Sequence, residues 1–358
     1  MDKMNSINQH SLATSNQTTS VTPSEIQRRD IVGELNSGAL RYMRNKHSKN
    51  TQEAYKSDAR IFSEWSYIKS IDPLHATAAE IASFLADQAD GELNRWVWTD
   101  KTNKKGYLKD GDGLSYSTIY RRLNGIKFAL TQLGRTFQEA ELTVFSDVLQ
   151  GIAETNGTEK DKVTGLTPDD LKVIFKHFNT EDVIDLRDRA LITLLFAGAF
   201  RRSELSNLEY SCITIYPGKG MEITLKKAKR KKSGITKVIL VGGTLCPVRF
   251  LQEYLVKAEI TGGNVFRGGS NNRKITRKTI SGQTIGNIVK QRCEDAGLEG
   301  RYGGHSGRHG FVDTSLKHNK PINSVMKMTG HVSLSSLQEY FSVAEQWSDN
   351  AGDGLLND

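Results

Sequence analysis

Long apolar runs and closely spaced cysteines are both missing from this 358-residue chain. The longest nearly apolar run, Ala190 to Phe200, is too short to span a bilayer and lies between Arg189 and Arg201, so it predicts a buried core helix. The three cysteines are far apart, which fits reduced thiols better than a disulfide frame or a zinc site. No secretion signal is recognisable at the start of the chain. We therefore expect a cytoplasmic protein with no membrane partner.

Two common catalytic systems are also missing from the sequence. There is no cluster of carboxylates of the kind that holds two Mg²⁺ ions, and no glycine-rich loop ending in Gly-Lys-Ser/Thr that would bind a nucleoside triphosphate. What is present is ordinary globular composition, with 37% hydrophobic and 25% charged residues. The net charge of +8 permits nucleic acid as a partner without proving it. We expect no cofactor.

The composition divides the chain into four segments. Residues 1–21 are rich in Asn, Gln, Ser and Thr and read as a disordered tail. Residues 22–154 carry amphipathic helical patterns and form a first domain, residues 155–165 read as a linker, and residues 166–358 form a second domain.

The first domain is predicted to be helical. Apolar residues recur at helical spacing in Thr51–Trp65 and in Ser117–Leu133, and Thr77 with Glu80 forms a capping box that starts another helix. Residues 90–114 break this pattern and predict a long loop or a β-hairpin.

The second domain mixes helices with a hairpin. Thr167 is a predicted helix cap, and two runs rich in β-branched residues, Met221–Leu225 and Thr236–Val241, flank a turn with six basic residues in seven positions, Lys226–Lys232. The whole chain is therefore expected to be mainly α, with an all-helical N-terminal domain and a mainly α second domain that carries a small antiparallel β-sheet.

Four short patterns in the second domain carry the chemistry. They are Arg201-Arg202-Ser203-Glu204-Leu205, the basic hairpin, His305-Ser306-Gly307-Arg308, and Thr329-Gly330-His331 with Tyr340 nine residues after that histidine. Arginines clamp phosphate oxygens, a tyrosine phenol can form a covalent phosphoester, and lysine and histidine can exchange the protons. These residue types fit cleavage of a phosphodiester.

The order and spacing of these motifs resemble the tyrosine recombinase (phage integrase) family, and in particular its simpler Cre- or Xer-like members. The match covers residues 165–345 strongly, and the helical segment 35–150 resembles the core-binding domain of that family more weakly. The resemblance implies a site-specific DNA recombinase that acts as a tetramer on two specific inverted-repeat DNA sites. It implies strand exchange through a Holliday junction without metal or ATP.

The resemblance also implies roles for individual residues. Two arginines would bind the scissile phosphate, a first histidine would take part in proton transfer, a second would hydrogen-bond the phosphate, and an acidic residue would support the site: Arg201 and Arg308, His305, His331 and Glu204. Tyr340 would form the 3′-phosphotyrosyl link. A hairpin lysine would protonate the leaving 5′-oxygen; the register favours Lys229 and leaves Lys226, Lys227 and Lys231 open. His309 stands where many members carry a small residue.

DNA contacts outside the catalytic set are expected on exposed helical positions. By analogy with the core-binding domain, the N-terminal parts of two helices would enter the major groove, one through Thr51, Lys56 and Ser57 and the other through Ser117, Thr118 and Arg121. Gln283 opens a third helix and can pair with adenine.

Other interpretations of the same residues remain open. Each motif taken alone fits a plain structural role, such as an ion pair between Arg201 and Glu204. His305 and His309 have the spacing of a metal-binding pair, although no third ligand is evident and we expect no metal site. The alternatives for the whole chain are a DNA-binding accessory factor that does not exchange strands and a relaxing topoisomerase.

Overall fold

The computed structural model describes residues 48–100, 102–103, 105–158, 163–225, 234–331 and 333–334. The chain divides into two compact units, Met1–Lys160 and Asp161–Asp358. The predicted tail of residues 1–21 lies outside the described residues, and so do Lys229 and Tyr340. No helix among the described residues is long and apolar enough to cross a membrane.

The described part of the first unit consists of four helices and a hairpin. In chain order these are α1 (Lys49–Ile68), α2 (Ala78–Asp90), β1 (Arg95–Asp100), β2 (Lys105–Lys109), α3 (Tyr116–Gln132) and α4 (Glu139–Asn156). The predicted capping box is present, because the Thr77 hydroxyl accepts from the Glu80 amide and the Glu80 carboxylate accepts from the Thr77 amide. The antiparallel β1–β2 pair is the hairpin alternative predicted for residues 90–114, so the described residues of this unit are helical apart from this hairpin.

Aliphatic and aromatic side chains from all four helices fill the core of this unit. Trp65, Phe84, Ile119 and Phe145 come from the four helices and are almost completely buried. The ring of Phe84 meets that of Trp65 edge to face at 5.3 Å between centroids. The apolar stripes seen in the sequence therefore become one shared core.

The second unit combines helices with a three-stranded sheet. Its described elements are α5 (Pro168–Lys176), α6 (Val183–Ala197), α7 (Arg202–Ser206), β3 (Ile213–Tyr216), β4 (Gly220–Leu225), β5 (Ile235–Leu240), α8 (Pro247–Lys257), β6 (Arg267–Gly269), β7 (Ile275–Thr279), α9 (Gly282–Asp295), α10 (Ser306–Lys317) and α11 (Ile322–Thr329). The sheet has the order β3-β4-β5 with antiparallel pairing, and β6 and β7 form a separate antiparallel pair. The mainly α fold with small antiparallel sheets is confirmed.

Helix α6 is the centre of the second unit. Eleven consecutive residues, from Asp185 to Leu195, are buried, because α8 and α10 both pack against this helix. The predicted core helix thus begins seven residues before Ala190 and ends at Ala197. Ala199 and Phe200 follow it in a buried corner that leads into α7.

Candidate active site

The corner between α6 and α7 positions Arg201, the first of the two predicted catalytic arginines. Arg201 is the N-cap residue of α7, and its backbone N–H donates to the Glu204 carboxylate at 2.9 Å. The other oxygen of that carboxylate accepts from Nη1 of Arg201 at 2.8 Å. Glu204 therefore both caps the helix and orients the guanidinium, while the Arg201 side chain remains 39% exposed. The sequence analysis predicted Glu204 as a supporting acid, and this geometry shows how it can support the site, by holding the Arg201 side chain in place.

The second arginine reaches the same corner from another helix. Arg308 lies in the first turn of α10, is 4% exposed, and donates through Nη1 to the carbonyl oxygen of Ala199 at 3.0 Å. Residues 199 and 308 are far apart in sequence, so the packing of α10 on α6 creates this contact. Arg201 and Arg308 are thereby brought to one place.

Both predicted histidines share this positively charged environment. His305 is the N-cap residue of α10, and its pKa is lowered by burial and by the nearby charges of Arg202, Arg308 and Arg201. The pKa of His331 is lowered to about 4, again by burial first and then by the charges of Arg308 and Arg201. Both imidazoles are therefore neutral at neutral pH and can each offer one N–H and one lone pair.

The loop after α11 positions His331. Gly330 ends the helix in a left-handed conformation at φ 71°, a backbone region that glycine adopts without strain. Nδ1 of His331 lies 3.2 Å from the hydroxyl of Thr329, which also donates to the carbonyl of Val325 at 2.8 Å. The Thr-Gly-His pattern is thus a helix end that holds the imidazole ring.

A buried lysine joins this group, and the sequence analysis missed it. Lys237 lies on β5, is 3% exposed, and donates through Nζ to the carbonyls of Gly198 and Ala199 at 2.7 and 3.1 Å. Its pKa is lowered to about 8 by burial, against the raising effect of Glu204. The available signal was the two-residue period of β5, which points Lys237 inward together with Ile239.

Thr51 and Ser117, two of the predicted DNA-contact residues of the first unit, lie apart from each other. Ring contact between Tyr55 and Phe128 and packing of Gly125 on Asp58 show that α1 and α3 run in opposite directions at their contact. Their first turns therefore lie on opposite sides of that contact, and Thr51 and Ser117 are not brought together.

Local contacts engage several of these side chains. The Thr51 hydroxyl bonds Ser48, Lys56 pairs with Glu53 at 3.3 Å, and Ser57 accepts from Arg60 at 3.5 Å. Ser117 and Thr118 lie near the hydroxyl of Ser115, Arg121 is paired with the buried Asp58, and Gln283 at the start of α9 accepts from Arg202 at 3.3 Å. The DNA contacts stay predictions.

No group of three or more His, Cys, Asp or Glu side chains that could hold a metal ion occurs among the described residues. His305 and His309 accordingly lack a third ligand within that part of the chain. The chemistry available at this site consists of two arginines, one acid, one lysine and two neutral imidazoles, which together suit a phosphate with negative charge.

A mainly helical unit with such a set at the α6–α7 corner defines a phosphodiester-transfer enzyme. The phage integrase family model matches residues 164–346, and the chain belongs to this family, the tyrosine recombinases, which cleave and rejoin DNA. The function is that of a site-specific tyrosine recombinase.

Individual relatives agree with this assignment. The chain is 28% identical over 331 residues to an integrase/recombinase XerD homolog of Selenomonas ruminantium, covering 90% of each chain. It is 29% identical over 235 residues to tyrosine recombinase XerC of Pelotomaculum thermopropionicum, covering 64% of this chain and 72% of the relative. Its fold is similar to that of the Tn1549 transposon integrase, solved in complex with transposon right end DNA, with a TM-score of 0.55 at 14% identity over 87% of this chain and 97% of the integrase.

Proposed function

We propose that the chain recombines DNA through a covalent 3′-phosphotyrosyl intermediate formed by Tyr340. The observation that carries this proposal is the convergence of Arg201, Arg308, His305 and His331 around one corner of the fold. Such a set complements a phosphodiester whose negative charge is redistributed during displacement at phosphorus.

Each side chain has a task in this reaction. The phenol oxygen of Tyr340 attacks the scissile phosphorus, the bond from phosphorus to the 5′-oxygen breaks, and the new bond keeps the energy of the old one. Neutral His305 can accept the phenol proton, and the N–H of neutral His331 can bond a non-bridging oxygen. Arg201 and Arg308 hold the phosphate. The basic hairpin, with Lys229 as our choice, supplies the proton that the 5′-oxygen needs to leave as a hydroxyl.

The proposed substrate is duplex DNA with a specific inverted-repeat site. Support comes from the relatives, since the Tn1549 integrase was solved with transposon right end DNA, and from the net charge of +8. A tetramer on two sites and a Holliday junction complete the proposed cycle. Because the rejoining 5′-hydroxyl attacks the phosphotyrosine, the cycle is energetically balanced without ATP.

A trapped covalent complex tests the proposal. Duplex DNA from the genomic neighbourhood of the gene, nicked just 3′ of each candidate cut so that the short fragment carrying the freed 5′-hydroxyl diffuses away, is incubated with protein in EDTA without ATP. We expect a DNA-linked protein band on a denaturing gel for the wild type and for Tyr210→Phe, an exposed tyrosine of the same unit. Tyr340→Phe should give no band while retaining DNA affinity.

The same experiment separates the rival functions. A covalent band with Tyr340→Phe would disprove the proposed nucleophile. Tight binding by the wild type without any covalent band, across all candidate sites, would favour a DNA-binding accessory factor. Equal covalent linkage to scrambled duplexes, together with relaxation of a supercoiled plasmid, would favour a topoisomerase over a site-specific recombinase.

A further inference from the structure

Lys237 lies where a charged side chain is costly. It occupies an inward position of β5, two residues before the buried Ile239, and it packs over the ring of Phe200 with Nζ 4.4 Å from the ring centroid. Removing an ammonium group from water is unfavourable unless hydrogen bonds and opposite charge replace the lost hydration. An apolar side chain would fill the same space without that cost, so the partners of Lys237 indicate what the charge does.

The groups that contact the ammonium group lie on one short stretch of chain, from Gly198 to Glu204. Nζ donates to the carbonyls of Gly198 and Ala199 and lies 3.7 Å from a carboxylate oxygen of Glu204. This stretch contains Arg201 and ends at the acid that orients it. Lys237 therefore fixes the backbone from which the first catalytic arginine extends.

The Ala199 carbonyl is a shared point of attachment. It accepts from Nζ of Lys237 at 3.1 Å and from Nη1 of Arg308 at 3.0 Å. Ala199 itself has φ 46°, a left-handed conformation that an alanine rarely adopts and that the surroundings must hold in place. Lys237 on β5 and Arg308 on α10 thus both donate to the carbonyl of a residue with a strained backbone.

We propose that Lys237 is a positioning residue that holds the Gly198–Arg201 corner so that Arg201 and Arg308 face the same phosphate. This inference rests on the proposed function and adds a residue to it. Lys237 is distinct from the lysine that would protonate the 5′-oxygen, because its ammonium group is buried against backbone carbonyls. It acts on the reaction through the two arginines without touching the DNA.

Single-turnover cleavage of the nicked duplex at saturating protein tests this role. The variants are Lys237→Met, Lys237→Arg and, as a matched control, Lys219→Met, which removes an exposed lysine from the turn between β3 and β4. We expect Lys237→Met to lower the cleavage rate constant about 100-fold, as the loss of a preorganised phosphate contact does. Its DNA dissociation constant should stay within threefold of the wild type, Lys237→Arg should recover at least tenfold in rate, and the control should match the wild type.

A double-mutant cycle then identifies the route of action. Because Lys237 and Arg308 bond the same Ala199 carbonyl, adding Lys237→Met to Arg308→Ala should slow cleavage by a smaller factor than Lys237→Met does in the wild type. Fully multiplicative losses would overturn the proposal, as would a Lys237→Met rate within threefold of the wild type. A purely structural role would lower the amount of active enzyme and leave its rate constant unchanged, which the reaction amplitude and rate report separately.

Two further comparisons keep the test decisive. If Lys237→Met does not fold, Lys237→Arg is compared with Lys237→Gln, which keeps a donor and removes the charge; a faster Gln variant would overturn the proposal. Failure of the wild type to cleave any duplex would count against the proposed function, whereas normal wild-type cleavage with an unaffected Lys237 variant would count against the positioning role alone.

Discussion

Arg308 donates a hydrogen bond to the carbonyl of Ala199, two residues before Arg201. One guanidinium group is therefore bonded to the backbone that carries the other. Because this bond forms where α10 packs on α6, the proposed phosphate site is assembled by packing in the core of the unit.

The first prediction concerns the fork geometry of Arg308. Arg308→Lys keeps a positive charge, but a single ammonium group cannot bond the Ala199 carbonyl and a phosphate as two arms of a guanidinium group do. We expect single-turnover cleavage to fall about 100-fold. DNA affinity, measured in parallel, should change little; a rate near that of the wild type would show that charge alone suffices at this position.

The second prediction concerns the acid side of the stability profile. The pKa of His331 is about 4 in the folded chain, against an unfolded value of about 6.5. Between these values the unfolded chain binds the extra proton, so the stabilisation present above pH 6.5 is lost as the pH falls towards 4. His305, whose pKa is also lowered, acts in the same direction.

Urea unfolding of His331→Gln between pH 4 and pH 7 measures this contribution. The variant should show a shallower loss of the free energy of unfolding on acidification than the wild type does. Parallel curves for the two proteins would mean that His331 titrates normally in the folded state.

A third prediction uses a buried ionic network beside the site. Arg292 on α9 bonds Asp185 at 2.6 Å and Asp188 at 2.6 and 2.9 Å, and both acids lie on α6. Arg292→Met leaves the two buried carboxylates with fewer cations, so we expect a loss of about 3 kcal/mol in the free energy of unfolding. The control is Lys290→Met on the same helix, whose exposed pair with Glu294 should contribute no more than about 0.5 kcal/mol. Equal effects of the two substitutions in urea unfolding would contradict this reasoning.

A fourth prediction compares two helical glycines. A Cβ atom at Gly310 of α10 would overlap the backbone of Leu166, whereas Gly151 of α4 has nothing within 4 Å of that position. We expect Gly310→Ala to lower the free energy of unfolding by about 1–3 kcal/mol through overpacking. Gly151→Ala should raise it by up to about 1 kcal/mol, because alanine favours the helix. Thermal unfolding checks both, and a stabilising Gly310→Ala would refute the close approach.

Short-range features were predictable from the sequence. The Thr77–Glu80 and Thr167–Asp170 capping boxes form between residues three apart, and the hairpin of β4 and β5 follows from two β-branched runs around one turn. These structures depend on neighbours along the chain, so local patterns are enough to predict them. The family motifs likewise located Arg201, His305, Arg308 and His331, which the structure brings together in one unit.

Contacts between distant residues were not predictable in this way. Lys237 lies in a run that reads as an ordinary strand, and nothing local shows that its ammonium group meets the carbonyl of Gly198. Similarly, Arg121 reads as an exposed cation at the start of a helix, while the structure pairs it with Asp58, which is 1% exposed. Such pairings arise only when separate elements pack, and one sequence does not reveal them.

Gly307 lies between His305 and Arg308 in the motif, at a close approach of α10 to α6. A Cβ atom there would stand 2.7 Å from the Cβ of Leu195 and 2.9 Å from the amide nitrogen of Phe196. At this position there is therefore room for the hydrogen atom of glycine between the two helices and no room for a side chain. The sequence motif of this enzyme class thus includes a glycine that takes no part in the chemistry and matters because it is small. A redesigned site that kept every proposed reacting group but carried a larger residue at position 307 would shift α10, and with it His305 and Arg308.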